Sequence, residues 1–189
     1  MGVNLTKGGN TAIGNIQKFV VGLGWDTNNS DSGQGYDLDA SAFMLDASGK
    51  VLSNAHFVFF NNKRSPEGVL EAAGDNLTGA GDGDDETIKV DLTNVPANCE
   101  TISFVVTIHD AEARRQNFGQ VRNAYVRIFD AANNEEIVKY DLAEDFSVET
   151  AIEFGNLYKR NDAWKFRAVG SGYAGGLLKF CTLYGVSVG

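Results

Sequence analysis

Short runs of β-branched and aromatic residues recur along this chain with turn residues between them, and few stretches hold the 3.6-residue period of a helix. That pattern limits the fold more than any other feature. Strands are predicted at Phe19–Trp25, Tyr36–Leu45, His56–Asn61, Thr87–Leu92, Thr101–His109, Tyr125–Asp130, Glu136–Leu142, Ala151–Tyr158 and Trp164–Val169. Asp46-Ala47-Ser48-Gly49 is suited to closing a hairpin between Phe43–Leu45 and Val51–Leu52, and Ala132-Asn133-Asn134 another between Val126–Phe129 and Ile137–Tyr140. Phe104-Val105-Val106 interrupts the alternation of its strand, which implies burial on both faces. Short helices fit Ala111–Phe118 and Gly176–Tyr184, the second bringing Leu177, Phe180, Cys181 and Tyr184 to one side. The expectation is an all-β chain: an antiparallel β-sandwich of two sheets with a few short helices, in one domain spanning residues 1–189.

Gly74 to Glu86 stands apart from this pattern. Five carboxylates (Asp75, Asp82, Asp84, Asp85 and Glu86) share thirteen residues with four glycines and no cation. Carboxylates about 5 Å apart repel by roughly 3 kcal/mol per pair at an effective dielectric near 20. The loop relieves that either by splaying into water or by taking a cation among its oxygens, and glycine lets backbone carbonyls turn inward for the second option. A further patch, Asp26, Asp31, Asp37 and Asp39, flanks a loop between two predicted strands, with Asp37 and Asp39 on one face by two-residue spacing. Calcium takes six to eight oxygens from such donors, whereas magnesium prefers a tighter octahedron with retained water. An EF-hand fails here: counted from Asp26, the sixth position is Asp31 rather than glycine, and the flanks are strands.

Charge and composition exclude other classes. The net charge is −9, and the acids are concentrated from Phe19 to Gly49 and from Ser65 to Ile88, where neither lysine nor arginine occurs. Nucleic acid is therefore excluded as a partner, since phosphate wants clustered cations. Two cysteines and two histidines are too few and too scattered for a zinc or iron–sulfur centre. Cys99 and Cys181 form no Cys-x-x-Cys, and with no signal-peptide pattern they point to a reducing, cytoplasmic setting. No apolar run is long enough to span a membrane, which leaves only association with a membrane-bound complex. Gly-x-Ser-x-Gly is missing, and neither His56 nor His109 has an evident serine or cysteine partner in sequence. His109 reads as structural, with Asp110 a candidate extra ligand. Gly22-Leu23-Gly24-Trp25 lacks the third glycine of a dinucleotide fingerprint, so its glycines mark a bulge or a close approach, and Trp25 reads as core.

Gly22-Leu23-Gly24-Trp25-Asp26, Asp37-Leu38-Asp39-Ala40-Ser41, Phe60-Asn61-Asn62, Gly74-Asp75-Asn76-Leu77-Thr78-Gly79 and Gly81-Asp82-Gly83-Asp84-Asp85-Glu86 together resemble the TerD family of tellurium-resistance and stress-response proteins. Leu5-Thr6-Lys7-Gly8-Gly9-Asn10 and Trp164-Lys165-Phe166-Arg167-Ala168-Val169-Gly170 extend the resemblance over essentially the whole chain. It implies a bacterial calcium-binding β-sandwich with no established catalytic activity, linked to survival of tellurite, some phages and pore-forming colicins. It implies as metal ligands Asp37, Asp39, Asp75, Asp82, Asp84, Asp85 and Glu86, with Asn76 a carbonyl donor, for about two Ca2+ ions. Protein partners of the tellurite-resistance and stress system are the implied partners. The competing class is a metal-dependent hydrolase or tellurite-processing enzyme, and thiol-based reduction would call for paired cysteines.

Overall fold

The structure, a computed structural model, describes residues 2–26, 36–73, 84–121, 123–142 and 148–187. Its strands are β1 (Val3–Asn4), β2 (Asn10–Ala12), β3 (Lys18–Gly24), β4 (Leu38–Leu45), β5 (Phe57–Val58), β6 (Leu70–Ala73), β7 (Glu86–Asp91), β8 (Thr101–Ile108), β9 (Tyr125–Asp130), β10 (Glu136–Asp141), β11 (Ala151–Arg160) and β12 (Ala163–Tyr173). Two helices accompany them, α1 (Ala111–Arg114) and α2 (Gly176–Tyr184). The strands form two six-stranded sheets, ordered β1-β10-β9-β3-β7-β6 and β2-β12-β11-β8-β4-β5. All pairings between named strands are antiparallel except β1 with β10. The predicted sandwich of two sheets is the observed one.

Alternation builds the core. Phe19, Val21 and Leu23 of β3, Ile88 and Val90 of β7, and Val126 and Ile128 of β9 are buried with Leu38, Ala40, Ala42 and Met44 of β4 and Ile102, Phe104, Val106 and Ile108 of β8. Each large side chain fully buried there contributes roughly 1.5–3 kcal/mol. Phe43 and Leu45 of β4 and Ser103 and Val105 of β8, which alternate with these, are also buried, because α2 lies over the outer face of the second sheet. Phe43, Leu45, Val105 and Ala151 pack with Phe180, Cys181 and Tyr184, and Leu177 joins them from the helix. The spacing i, i+3, i+4, i+7 thus places one side of α2 as predicted. Gly185 ends the helix at φ 77°, a left-handed geometry that suits glycine. Beneath α2, Ser103 Oγ lies 2.9 Å from the Tyr184 hydroxyl and donates to Glu153 Oε1 at 3.0 Å.

Differences from the predicted elements lie at the edges. The expected strand His56–Asn61 reduces to Phe57–Val58, preceded by a 3-10 turn over Asn54–His56. The expected helix Ala111–Phe118 ends at Arg114, where Arg115 at φ 54° turns the chain. β12 runs on to Tyr173 because β11 pairs with it along nearly its whole length. The short edge strands β1, β2 and β6 have no strong alternation of their own and exist through their neighbours.

Candidate metal centre

One end of the sandwich carries Asp37, Asp39, Asp84, Asp85 and Glu86, the described acids that the resemblance implies as ligands. There β3 ends, β7 and β9 begin, and in the other sheet β4 begins opposite the end of β8. Leu23 pairs with Glu86, Gly24 with Tyr125, and Leu38 with Ile108. Trp25, buried as predicted, joins the two sheets by donating from Nε1 to the Tyr36 carbonyl at 3.0 Å. The Tyr36 hydroxyl in turn donates to the Gln120 carbonyl at 3.1 Å.

Asp37, Asp85 and Glu86 are 8%, 9% and 7% exposed. Glu86 begins β7 and turns inward, where Oε2 accepts from the Ala40 N–H of the facing sheet at 3.3 Å. Asp85 donates its backbone N–H to the Leu23 carbonyl at 2.8 Å, and its Oδ2 accepts from the Trp25 N–H at 3.1 Å. The carbonyl of Asp37 accepts from the His109 N–H at 2.8 Å, which carries β4 one residue past its pairing with β8. Asp39 pairs across from Thr107 and is partly exposed. Burying a carboxylate in low dielectric is costly unless hydrogen bonds or a cation compensate it.

Asp84 has a different environment. Its side chain is 6% exposed, and Arg127 Nε donates to Oδ1 at 2.8 Å and to Oδ2 at 2.9 Å. The Tyr125 hydroxyl donates to Oδ1 at 3.3 Å. This group lies on the outer face of the first sheet, where Gly22 and Gly24 pair with Arg127 and Tyr125. A Cβ on Gly22 would overlap the Asp84 carboxylate, and one on Gly24 would overlap the Tyr125 ring. The two glycines therefore mark a close approach, one of the two roles expected for them. The hydrogen bond that Arg127 donates to Asp84 holds its guanidinium above the ordinary value. Burial first, and then the negative field of Asp84, push the Tyr125 hydroxyl up. Nearby, Asn123 donates from Nδ2 to Asp26 Oδ2 at 2.6 Å.

Asp75, Asn76 and Asp82, and with them Asp31, lie outside the described residues. Among the described residues, no three Asp, Glu, His or Cys side chains stand close enough to hold a metal ion. The donors present at this end are carboxylates and carbonyls, which suit a hard cation. His109 is less enclosed than a structural histidine: its side chain is well exposed and its Nε2 stands 3.2 Å from Asp110 Oδ2. Asp110 itself adopts φ 50° at the start of α1.

Two groups escaped the sequence reading. Arg127 and Tyr125 come from a strand some forty residues beyond Asp84, although the alternation Tyr125, Arg127, Phe129 along β9 signals one outward face. His56 does have a serine partner, three residues upstream. Its Nδ1 lies 2.7 Å from Ser53 Oγ, and its Nε2 lies 3.0 Å from both carboxylate oxygens of Glu67, tying the 3-10 turn to the bend ahead of β6. Both thiols are free and buried, Cys99 in the sandwich core and Cys181 on the inner side of α2. Burial pushes Cys99 up to about 11 and raises Cys181 as well.

A family model for the TerD domain matches residues 1–184. The chain belongs to the TerD family. This TerD chain is 60% identical over 174 residues to general stress protein 16U of Bacillus subtilis (strain 168), across 92% of this chain and 90% of that protein. It is 53% identical over 191 residues to tellurium resistance protein TerD of an Alcaligenes species, across 99% of both. Among solved structures, a homologue of telluride resistance protein (TerD) from Streptomyces coelicolor A3(2) matches with a TM-score of 0.72 at 24% identity, over 87% of this chain and 95% of that one. That likeness is one of fold. The TerD family is thus one of tellurium resistance and general stress response, as the sequence motifs implied. Among the described residues no helix is long and apolar enough to cross a membrane.

Proposed function

We propose that this TerD domain is a non-catalytic calcium-binding module of a bacterial stress response. Acidic loops at one end of the sandwich take up about two Ca2+ ions and present the ordered surface to a protein partner. The observation that carries the reading is the burial of Asp37, Asp85 and Glu86 at the end where residues 27–35 and 74–83 connect the strands. Carboxylates this enclosed favour a bound cation over solvation, and hard oxygen donors favour calcium over zinc. Asp37, Asp39, Asp85 and Glu86 would hold the ions together with Asp75, Asn76 and Asp82. The bound ions would supply charge compensation and fix the loops.

The thiols support a role without redox chemistry. A reductive nucleophile is a thiolate with access to solvent, whereas these two are buried apart and held protonated. Cytoplasmic residence accords with free cysteines.

Melting the protein with calcium and with chelator tests the reading. At 100-fold excess over the dissociation constant, calcium adds about 2.7 kcal/mol of stability. Glu86→Gln should shrink the rise in melting temperature, and Asp162→Asn, at the opposite end, should leave it intact. Identical melting in calcium and chelator refutes calcium binding.

A further inference from the structure

At the end of the sandwich away from the acids, where β3 begins and β7 ends, lies a cavity of about 420 Å³. Its walls come from both sheets: the turn ahead of β3 with Asn15, Ile16 and Gln17, then Leu92 just after β7, and the β11–β12 hairpin at Asp162 and Trp164. We propose that this cavity binds a pyranose sugar, with Trp164 and Ile16 against the C–H face of the ring and Asn15, Gln17 and Asp162 on its hydroxyls. The site is separate from the acidic end and does not depend on calcium.

The walls are tied together without a ligand. Ile13 donates its N–H to the Trp164 carbonyl at 3.4 Å, and Leu92 donates to the Gln17 carbonyl at 2.8 Å, so the turn is fastened to both sheets. Arg160 pairs with Ala163, which leaves Asn161 and Asp162 as a two-residue hairpin turn. Both adopt left-handed backbone, at φ 51° and 61°, which Asn and Asp tolerate. That turn fixes Asp162 beside the start of β12. Lys159 pairs with Trp164 from β11 and lies over the indole, with Nζ 5.4 Å from its centroid. β2 and the turn that follows it flank Trp164 on the other side, so the ring stands between Lys159 and the cavity.

The chemistry of the walls selects the ligand. Ile16, Leu92 and Trp164 make an apolar floor, while Asn15, Gln17 and Asp162 are exposed at the rim. Gln17 Oε1 accepts from Thr93 Oγ1 at 3.3 Å, which orients the amide and leaves the Nε2 hydrogens to a ligand. A pyranose joins an apolar C–H face to a belt of hydroxyls that both donate and accept. Amides that do both and a carboxylate that accepts match such a belt. A lipid chain would leave that rim unpaired, at a cost. An anion would meet the Asp162 carboxylate, and the Lys159 ammonium is already engaged over the indole. Small-molecule sites of about 300–1,000 Å³ with a few placed polar groups are of this size.

The chain has two tryptophans, which makes the test direct. Trp25 is buried at the acidic end with Nε1 on the Tyr36 carbonyl, so its indole N–H resonance is an internal reference. Isotope-labelled protein in EDTA is titrated with methyl β-D-glucopyranoside and, separately, with N-acetylglucosamine. At least one sugar should move the Trp164 indole N–H to saturation while that of Trp25 stays in place. Gln17→Ala and Asp162→Asn should each weaken that binding about 5- to 10-fold, the loss expected for one hydrogen bond. Both positions are exposed, and asparagine suits the left-handed turn, so the variants should fold. No saturable shift with either sugar overturns the proposal, as does a shift unchanged in both variants or matched by glycerol. Sodium phosphate moving Trp164 where the sugars do not would make the cavity an anion site and overturn it too. Replacing EDTA by CaCl2 should leave the sugar affinity unchanged. Sugar binding that requires calcium would place the sugar at the acidic end and end this proposal, whereas a protein that binds sugar but no calcium removes only the calcium reading.

Discussion

Gly22→Ala is the smallest change that should disturb the acidic end without touching an acid. A Cβ built there would stand 2.9 Å from Asp84 Oδ1 and closer still to Cγ and Oδ2, inside any real carbon contact. β3 is paired on both sides, with β7 and β9, so its backbone cannot retreat and the carboxylate must move. Moving it breaks the hydrogen bonds from Arg127 Nε, which as charged-group bonds contribute about 1.5–3 kcal/mol. Alanine returns about 0.5–1 kcal/mol, because glycine inside a strand is entropically costly. The net expectation is a destabilisation of about 1–2 kcal/mol, read as a lower urea midpoint at constant slope. In an Asp84→Ala background the obstacle is gone, so Gly22→Ala should become neutral or stabilising by about 0.5–1 kcal/mol. Additivity of the two substitutions would refute the reasoning, because residues that do not interact add within about 0.5 kcal/mol.

Glu153, half-buried beneath α2, has its carboxyl raised mainly by burial, against the lowering effect of its Asn156 and Ser103 hydrogen bonds. The folded state therefore holds this proton to higher pH than the unfolded chain, and stability falls as pH rises from the ordinary carboxylate value through the raised one. Glu153→Gln should remove that fall in denaturation curves across weakly acidic pH, where each tenfold difference in proton affinity between folded and unfolded chain is worth about 1.4 kcal/mol; a slope identical to wild type counts against it. Tyr184→Phe deletes the hydroxyl that meets Ser103 and should cost about 1–2 kcal/mol in urea unfolding, while an unchanged midpoint would show that the contact contributes nothing. With Cys99 pushed up to about 11, neither buried thiol should react with a disulfide reagent at pH 8 until urea is added. Rapid labelling of the native protein would reopen thiol chemistry as a route to tellurite.

The sandwich was legible because its central strands carry their own pattern. β3, β8 and β9 have alternating or doubly buried runs that only a sheet satisfies, and Leu177, Phe180, Cys181 and Tyr184 are spaced for one side of a helix. β1, β2 and β6 were not legible, since two to four residues at a sheet edge are held by their neighbours rather than by propensity. The acidic end was half legible. Composition and motif picked out Asp37, Asp39 and Asp84 to Glu86, but the cation beside Asp84 belongs to neither acidic stretch and arrives from β9. His56 likewise looked isolated until a 3-10 turn brought Ser53 to one ring nitrogen and the chain's return brought Glu67 to the other.

Crystals grown in millimolar CaCl2, with anomalous scattering recorded, would examine the metal centre itself. Two peaks are expected at the end formed by Asp37, Asp85 and Glu86, each ringed by oxygens about 2.3–2.6 Å away, some of them from Asp75, Asn76 and Asp82. Carboxylates turned out into solvent with no peak between them would leave the β-sandwich standing and end the case for calcium.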